Sequence, residues 1–155
     1  MSVVGDYDGV LFDLFGTLVE DDARAVDGSI ELLTGLAGQR WGIVTSCHAR
    51  LAHAMLGVAG LPFPNTLIAA DDVQANKPSP EGYLLGARRL GITARRCLVL
   101  EDSTAGIAAG RAAGMDVVAI LRGRAAGFAA AATWSAPDLR AVRLAESAGV
   151  LRLLL

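Results

Sequence analysis

Asp13 stands where an apolar stretch of the chain ends, and its carboxylate could act as a nucleophile. Residues 9–12, directly before it, have the composition of a buried strand. Gly16 follows three positions later and lets the backbone turn sharply, because glycine adopts conformations that other residues avoid. The pattern therefore predicts a carboxylate presented at the end of a strand.

Three further groups of reactive residues follow apolar stretches in the same way. Thr45 and Ser46 come after one such stretch, Glu101 and Asp102 come after another, and Lys77 lies in the loop after a third. In an open parallel sheet the carboxyl ends of the strands border the ligand crevice. The spacing thus predicts one site built from four separate segments.

The segments between these groups predict strands alternating with helices. Strands are expected at residues 9–12, 41–45, 66–69, 97–100 and 116–121, and helices at 29–36, 48–59, 80–90 and 104–113. Such alternation predicts an α/β fold of the Rossmann type, with a parallel sheet of about five or six strands and helices on both faces. Residues 122–132 predict a loop or a weak helix, and residues 137–155 a helix over one sheet edge.

Length, composition and charge indicate a single domain and argue against nucleic-acid and membrane partners. With 155 residues, 53% of them hydrophobic, the chain predicts one core domain over residues 1–155. The net charge of −2 and the absence of a basic stripe argue against a nucleic-acid partner. No apolar run reaches the roughly 18 residues of a membrane span, and Cys47 and Cys97 lack metal-ligand spacing. We therefore expect a cytoplasmic protein without a nucleic-acid or membrane partner.

The four groups, taken in order, resemble the motifs of the haloacid dehalogenase (HAD) superfamily. Residues 13–18, Asp-Leu-Phe-Gly-Thr-Leu, resemble its first motif, residues 43–46 the second, 77–80 the third and 100–107 the fourth. Together with residues 109–115 they are similar to the sugar-phosphatase and phosphomutase branch. The resemblance covers most of residues 8–121 and implies the Rossmann-like core of that superfamily.

The resemblance implies a Mg²⁺-dependent phosphatase with an aspartyl-phosphate intermediate on Asp13. Asp13, Asp102 and the backbone carbonyl of Phe15 would bind the ion, and Glu101 would bind the ion or its waters. This set is compatible with Mg²⁺, which prefers hard oxygen ligands and keeps several waters.

The resemblance also implies how a phosphoryl group is held. Thr45 or Ser46 would donate hydrogen bonds to a phosphoryl oxygen at the start of a helix. Lys77 would neutralise the nucleophile and the phosphate together, which suits a reaction that depends on positioning and charge.

Phe15 is the first departure from the family pattern. The family's phosphatases read Asp-x-Asp-Gly-Thr-Leu, and their second aspartate is the general acid and base, whereas this chain has Phe15 there. A rival frame over residues 6–11, Asp-Tyr-Asp-Gly-Val-Leu, would restore the acid but leave only residues 3–4 as its strand. Residues 9–12 make the better central strand, so Asp6 and Asp8 are expected in a solvated lead-in.

The second departure is the short distance between the first two motifs. Asp13 and Ser46 are 33 positions apart, and the helix and strand before Ser46 leave only residues 19–28. The sugar-phosphatase branch has a cap domain there, so the resemblance predicts a core without a cap and a site open to solvent. Open members act on macromolecules or borrow closure from a neighbouring subunit. A phosphorylated small molecule, a phosphorylated macromolecule and a homo-oligomer are therefore all compatible with the sequence.

Two other functions stay open at this point. A 2-haloacid dehalogenase also has an aromatic residue two positions after its nucleophile, although Glu101 and Asp102 resemble the phosphatase motif instead. A degenerate phosphatase could bind a phosphorylated ligand or partner without turnover. Each acidic residue alone could also be a turn or helix-cap residue, so the phosphatase interpretation depends on their order, with Lys77 between them.

Overall fold

Nine strands and four α-helices make up the computed structural model, which describes residues 1–155. The strands are β1 (Val3–Tyr7), β2 (Gly9–Phe12), β3 (Trp41–Val44), β4 (Thr66–Ile68), β5 (Cys97–Glu101), β6 (Asp116–Ile120), β7 (Trp134–Ala136), β8 (Arg143–Ser147) and β9 (Val150–Leu154). The helices are α1 (Ser29–Thr34), α2 (Ala49–Ala59), α3 (Glu81–Leu90) and α4 (Thr104–Ala112). None of the helices has the length and apolar character needed to cross a membrane.

The central sheet has six parallel strands in the order β4-β3-β2-β5-β6-β7. Every residue of β2, β3 and β5 is buried, as expected for parallel strands covered on both faces. Neighbouring residues of β2 point to different faces: Val10 and Phe12 join one apolar cluster, and Leu11 joins the other. The first cluster includes residues of α1 and α2, and the second includes residues of α3 and α4. The predicted α/β core with helices on both faces is confirmed.

The C-terminal segment differs from the sequence prediction. Residues 137–155 form a short 3₁₀ turn and the antiparallel strands β8 and β9, so the predicted helix is wrong. Leu151 and Leu153 are buried while Arg152 between them is not, which is the period of a strand rather than of a helix. Ala148 and Gly149 both have positive φ, which suits a two-residue hairpin turn.

The N-terminal segment is also a strand rather than a solvated lead-in. β1 pairs with β9, and the order β1-β9-β8 defines a second, three-stranded sheet. Tyr7 is buried in this sheet, Asp6 is paired with Arg152 at 2.9 Å, and Asp8 is paired with Arg96 at 3.0 Å. The prediction failed here because the partner strand lies at the far end of the chain.

Two loops border the carboxyl ends of the central strands. Residues 14–28 contain turns and two isolated bridges, one from Phe15 to Val19 and one from Val19 to Ala25, but no helix. Residues 122–132 contain a single 3₁₀ turn at Ala126–Ala129, in agreement with the predicted loop.

Candidate active site

The predicted site residues meet at the carboxyl edge of the central sheet. A concave pocket of about 210 Å³ is lined by Asp13, Phe15, Thr45, Ser46, Cys47, Lys77, Asp102, Ser103 and Ala105. A larger cleft of about 470 Å³ lies between α1 and residues 139–144, and none of the predicted residues lines it. Glu101 lies outside the pocket lining because it is completely buried.

Asp13 is held at three points directly after β2. Its backbone N–H donates to the carbonyl of Leu100 on β5 at 3.0 Å. The Lys77 ammonium donates to its Oδ1 at 2.7 Å, and the Thr17 hydroxyl lies 3.2 Å from its Oδ2. With 12% of its side chain exposed, the carboxylate is fixed in direction yet reachable from the pocket.

Lys77 uses all three of its N–H donors inside the protein. Nζ donates to Asp13 Oδ1, to the carbonyl of Val44 at 2.8 Å and to Glu101 Oε1 at 2.6 Å. Burial alone would lower the pKa of Lys77, but the two carboxylates outweigh burial and raise that pKa. The ammonium therefore stays charged and fixes the orientation of Asp13.

Glu101 supports Lys77 from below the pocket. Its Oε1 accepts hydrogen bonds from Lys77 and from the fully buried Tyr83 hydroxyl at 2.5 Å, and Ser103 Oγ lies 3.2 Å from its Oε2. Burial and the charge of Asp13 raise the pKa of Glu101 in spite of Lys77. Both carboxylate oxygens already have protein donors, so contact of Glu101 with an ion or its waters stays a prediction.

Asp102 lies beside Asp13 with little to neutralise it. Its Oδ1 is 3.4 Å from the Thr17 hydroxyl, and its Oδ2 is 3.6 Å from an Arg124 nitrogen. Burial and the neighbouring charge of Asp13 raise the pKa of Asp102 to about 7. A Cβ on Gly16 would overlap the Asp102 carboxylate, so only glycine allows this close approach.

A divalent cation fits this arrangement of carboxylates. One oxygen from each of Asp13, Glu101 and Asp102 lies within 4.8 Å of the others. Hard oxygen donors with incompletely compensated negative charge are the ligands that Mg²⁺ prefers. Burial raises the pKa of Asp102 most, and the charge of Asp13 raises it further; a bound cation would offset the effect of Asp13.

Thr45 and Ser46 differ in their availability to a ligand. Thr45 is buried, and its Oγ1 accepts a hydrogen bond from the backbone N–H of Cys47 at 3.3 Å. Ser46 is exposed at the rim of the pocket, three residues before α2 begins at Ala49. Of the two residues, Ser46 is thus the freer donor.

Three residues of the site were not foreseen from the sequence. Tyr83 donates to Glu101, Arg124 lies beside Asp102, and Arg122 donates to the Gly16 carbonyl at 2.8 Å. Arg122 is 106 positions from Gly16, and no local pattern indicates a contact across that distance.

Two acidic residues of the 14–28 loop, Glu20 and Asp22, form ion pairs with arginines. Glu20 forms an ion pair with Arg122, and Asp22 forms one with Arg24 at 2.7 Å. The hydrogen bond from Arg24 lowers the pKa of Asp22. As placed here, neither is a ready substitute for the missing acid, and Asp21 is exposed.

Comparison with known proteins gives the family. The model of haloacid dehalogenase-like hydrolases matches residues 19–114, more than half of the chain. The matched segment begins six residues after Asp13 and contains Thr45, Ser46, Lys77, Glu101 and Asp102. The chain belongs to the haloacid dehalogenase-like hydrolase family.

The most similar relatives include named phosphatases. The chain is 45% identical over 98 residues to hexitol phosphatase A of Escherichia coli, covering 62% of this chain and 45% of that protein. It is 38% identical over 124 residues to validoxylamine A 7'-phosphate phosphatase of Streptomyces hygroscopicus subsp. limoneus, covering 78% and 58%. The chain spans about half the length of these curated relatives.

A solved structure supports the fold. A HAD family hydrolase from Deinococcus radiodurans R1, crystallised with bound phosphate and sodium, superposes with a TM-score of 0.79 at 23% identity. The match covers 86% of this chain and 92% of that one. At this identity the likeness concerns the fold alone.

Proposed function

We propose that this chain is a Mg²⁺-dependent phosphatase that hydrolyses phosphoric monoesters through an aspartyl-phosphate on Asp13. The observation that carries the proposal is the position of the Asp13 carboxylate, which accepts a hydrogen bond from Lys77, lies within 4.8 Å of an Asp102 oxygen and lines an open pocket. The named phosphatases among the relatives support the same reaction class.

Each residue has a part in the two steps. A carboxylate oxygen of Asp13 attacks phosphorus, the bond from phosphorus to the ester oxygen breaks, and the leaving oxygen takes a proton from water. A second water then attacks phosphorus and gives a proton to the hydroxide left by the first step, the bond from phosphorus to the Asp13 oxygen breaks, and inorganic phosphate and the free Asp13 carboxylate are released. Lys77 keeps the carboxylate aimed, and Ser46 donates to a phosphoryl oxygen.

Asp13, Asp102 and the Phe15 carbonyl would hold the cation, and Glu101 would act through Lys77. When bound, Mg²⁺ supplies positive charge close to the carboxylates and the phosphoryl oxygens, which lowers their mutual repulsion. Two aspartates and one carbonyl leave room for waters, as Mg²⁺ requires.

Phosphate release from p-nitrophenyl phosphate, with and without Mg²⁺, tests the proposal. We expect turnover that requires Mg²⁺ and disappears in Asp13→Asn, because an amide oxygen is a poor nucleophile. Asp27→Asn is the matched control, since Asp27 is exposed and outside the pocket. Equal activity in wild type and Asp13→Asn would exclude the aspartyl-phosphate route.

Phe15 favours a second candidate, a protein that binds a phosphorylated ligand without turnover. The motif resemblance assigns it to the family's acid position, and Phe15 is one of the residues that line the pocket. Binding of Mg²⁺ and inorganic phosphate in calorimetry, with no phosphate released from any ester, would favour this candidate. Metal-independent halide release from a 2-haloacid would instead indicate a dehalogenase.

A further inference from the structure

Arg122 has an unusual backbone for a residue with a side chain. Its φ is 51°, in the left-handed region that non-glycine residues seldom occupy. Its backbone N–H donates to the carbonyl of Pro137 at 2.9 Å. Such conformations persist where the surroundings hold them, and they are frequent at functional sites.

The Arg122 side chain reaches the turn at residues 16–20, which contacts both Asp13 and Asp102. Nη1 donates to the Gly16 carbonyl at 2.8 Å, and Nη2 pairs with Glu20. Gly16 packs directly against the Asp102 carboxylate, and the next residue, Thr17, lies within hydrogen-bond distance of both Asp13 and Asp102. One guanidinium group therefore ties both ends of the turn at residues 16–20.

We propose that Arg122 is a positioning residue that sets the geometry of the divalent-cation site, an inference that rests on the proposed function. The tie fixes the Gly16 carbonyl and, with it, the direction of the adjacent Phe15 peptide group. It also fixes the distance between the turn and Asp102. Arg122 lies beyond residues 19–114, so it is outside the segment matched to the family.

The charge of Arg122 and its positioning role have opposite effects on Mg²⁺ binding, so the inference can be tested. Arg122 carries a positive charge, and charge alone would repel a cation and weaken its binding. Removing Arg122 should then strengthen Mg²⁺ binding if only its charge matters. Removing it should weaken Mg²⁺ binding if the guanidinium positions the ligands.

The choice of cation separates positioning from general stability. Mg²⁺ needs six oxygens in a nearly ideal octahedron, whereas Ca²⁺ accepts longer and less regular coordination. A loosened turn should therefore affect Mg²⁺ much more than Ca²⁺. A variant that is merely less stable would lose affinity for both ions alike.

Calorimetric titration of Mg²⁺ and Ca²⁺ into wild type, Arg122→Met and Glu20→Gln gives the measurement. We expect Arg122→Met to weaken Mg²⁺ binding by about 10-fold or more, as loss of ligand-orienting partners does elsewhere, with a smaller effect on Ca²⁺. Glu20→Gln, which keeps the bond to Gly16, should have an intermediate effect. Arg24→Met is the control, because it also removes one positive charge, here from the 14–28 loop, while the Arg24 side chain pairs only with Asp22.

Amide hydrogen exchange of the metal-free proteins reports the tie without any ion. The amides of residues 16–19 should exchange faster in Arg122→Met than in wild type and in Arg24→Met. Unchanged exchange, or unchanged Mg²⁺ affinity in Arg122→Met, would overturn the inference while leaving the proposed function intact. A wild type that binds no Mg²⁺ would overturn the metal-dependent function and this inference with it.

Discussion

Phe15 stands where the motif resemblance predicts the second aspartate of the family's phosphatases. It is half-buried, lines the pocket and packs against the larger apolar cluster. Its side chain has no proton to give, whereas its backbone carbonyl is an oxygen that would bind a cation. On this motif assignment we predict a chain that lacks the proton donor and keeps the cation ligand.

We predict that Phe15→Asp accelerates alkyl phosphates more than aryl or acyl phosphates. A positioned general acid contributes about 10²- to 10⁴-fold, and an alkoxide leaving group needs the proton most. Wild type should accordingly hydrolyse p-nitrophenyl phosphate faster than sugar phosphates. Rates across a series of leaving groups, in wild type and variant, give the measurement.

Phe63→Asp is the matched control for that substitution, because Phe63 is 58% exposed and outside the pocket. It should leave the dependence on the leaving group unchanged. A folded, Mg²⁺-binding Phe15→Asp variant without any selective gain on alkyl esters would mean that Phe15 does not occupy the position of the acid.

Asp102 should make both stability and Mg²⁺ binding depend on pH. Its pKa is raised from 3.8 to about 7, so the folded protein holds a proton that the unfolded chain has lost. Its contribution to the free energy of unfolding is therefore present at low pH and lost as pH rises towards about 7. Mg²⁺ needs the ionised carboxylate, so its affinity should rise over the same range.

Denaturant unfolding in EDTA, together with calorimetric Mg²⁺ titration between acid and neutral pH, measures both effects. Asp102→Asn cannot ionise at this position, so it should lack this part of the pH dependence and bind Mg²⁺ weakly. If wild type and Asp102→Asn give parallel stability curves, the raised pKa is wrong. If they bind Mg²⁺ equally, Asp102 is not a ligand.

At the scale of elements, the contact between β5 and α4 decides where Glu101 lies. Gly106, in the first turns of α4, faces the Glu101 carboxylate so closely that a Cβ would overlap it. Gly110, one turn later, allows the same helix to approach β6, where a Cβ would lie 2.7 Å from Val117. The spacing of these glycines therefore serves close helix–sheet packing.

We predict that Gly106→Ala lowers both the melting temperature and the phosphatase activity. Within a helix, alanine is more stable than glycine by about 0.5–1 kcal/mol. Here, however, the added methyl group displaces Glu101 and, through it, Lys77. Gly57→Ala is the control, since Gly57 lies in α2 with nothing within 4 Å of the added Cβ. That variant should melt at a higher temperature and keep its activity, and a similar gain in Gly106→Ala would contradict the packing.

The central strands could be predicted from local sequence, whereas the C-terminal strands could not. β2, β3 and β5 are continuous apolar runs, each ended by a reactive residue, so strand and site were visible together. β8 and β9 were missed although Leu151 and Leu153 alternate with Arg152 and Gly149 indicates a turn. The helix prediction was wrong because β9 pairs on one side with the neighbouring β8 and on the other with β1, at the far end of the chain.

The candidate site likewise contains residues that the sequence predicted and residues that only the structure shows. Asp13, Lys77 and Asp102 were predicted from residue type and order, and the structure brings the three side chains together, while their roles stay predictions. Arg122 and Arg124 were not predicted, because their contacts with Gly16 and Asp102 depend on how the loop after β6 folds back over the sheet. Residue type indicates chemistry, whereas tertiary folding decides which residues hold it in place.

At the scale of the whole molecule, the open rim of the pocket predicts association. Residues 19–28 form turns and isolated bridges but no helix, and Ser46 at the rim is exposed. Exclusion of water would then require another surface to close over Asp13. We expect a homo-oligomer or a preference for phosphorylated macromolecules.

Light scattering, combined with rates on a phosphopeptide and on a small phosphate ester, tests this expectation. A dimer or larger species, or faster turnover of the phosphopeptide, would agree with it. A strictly monomeric protein with efficient turnover of small esters would contradict it.

The pairing of β1 with β9 has a consequence for the connectivity of the chain. Ser2 and Leu155 exchange two backbone hydrogen bonds, of 2.7 and 3.0 Å, so these two residues lie side by side. A short peptide could join them without crossing the core, and the exposed turn at residues 21–22 offers a place to open the ring. The order of the strands along the chain could thus be rewritten while their order in space, and the pocket at their carboxyl ends, stays the same.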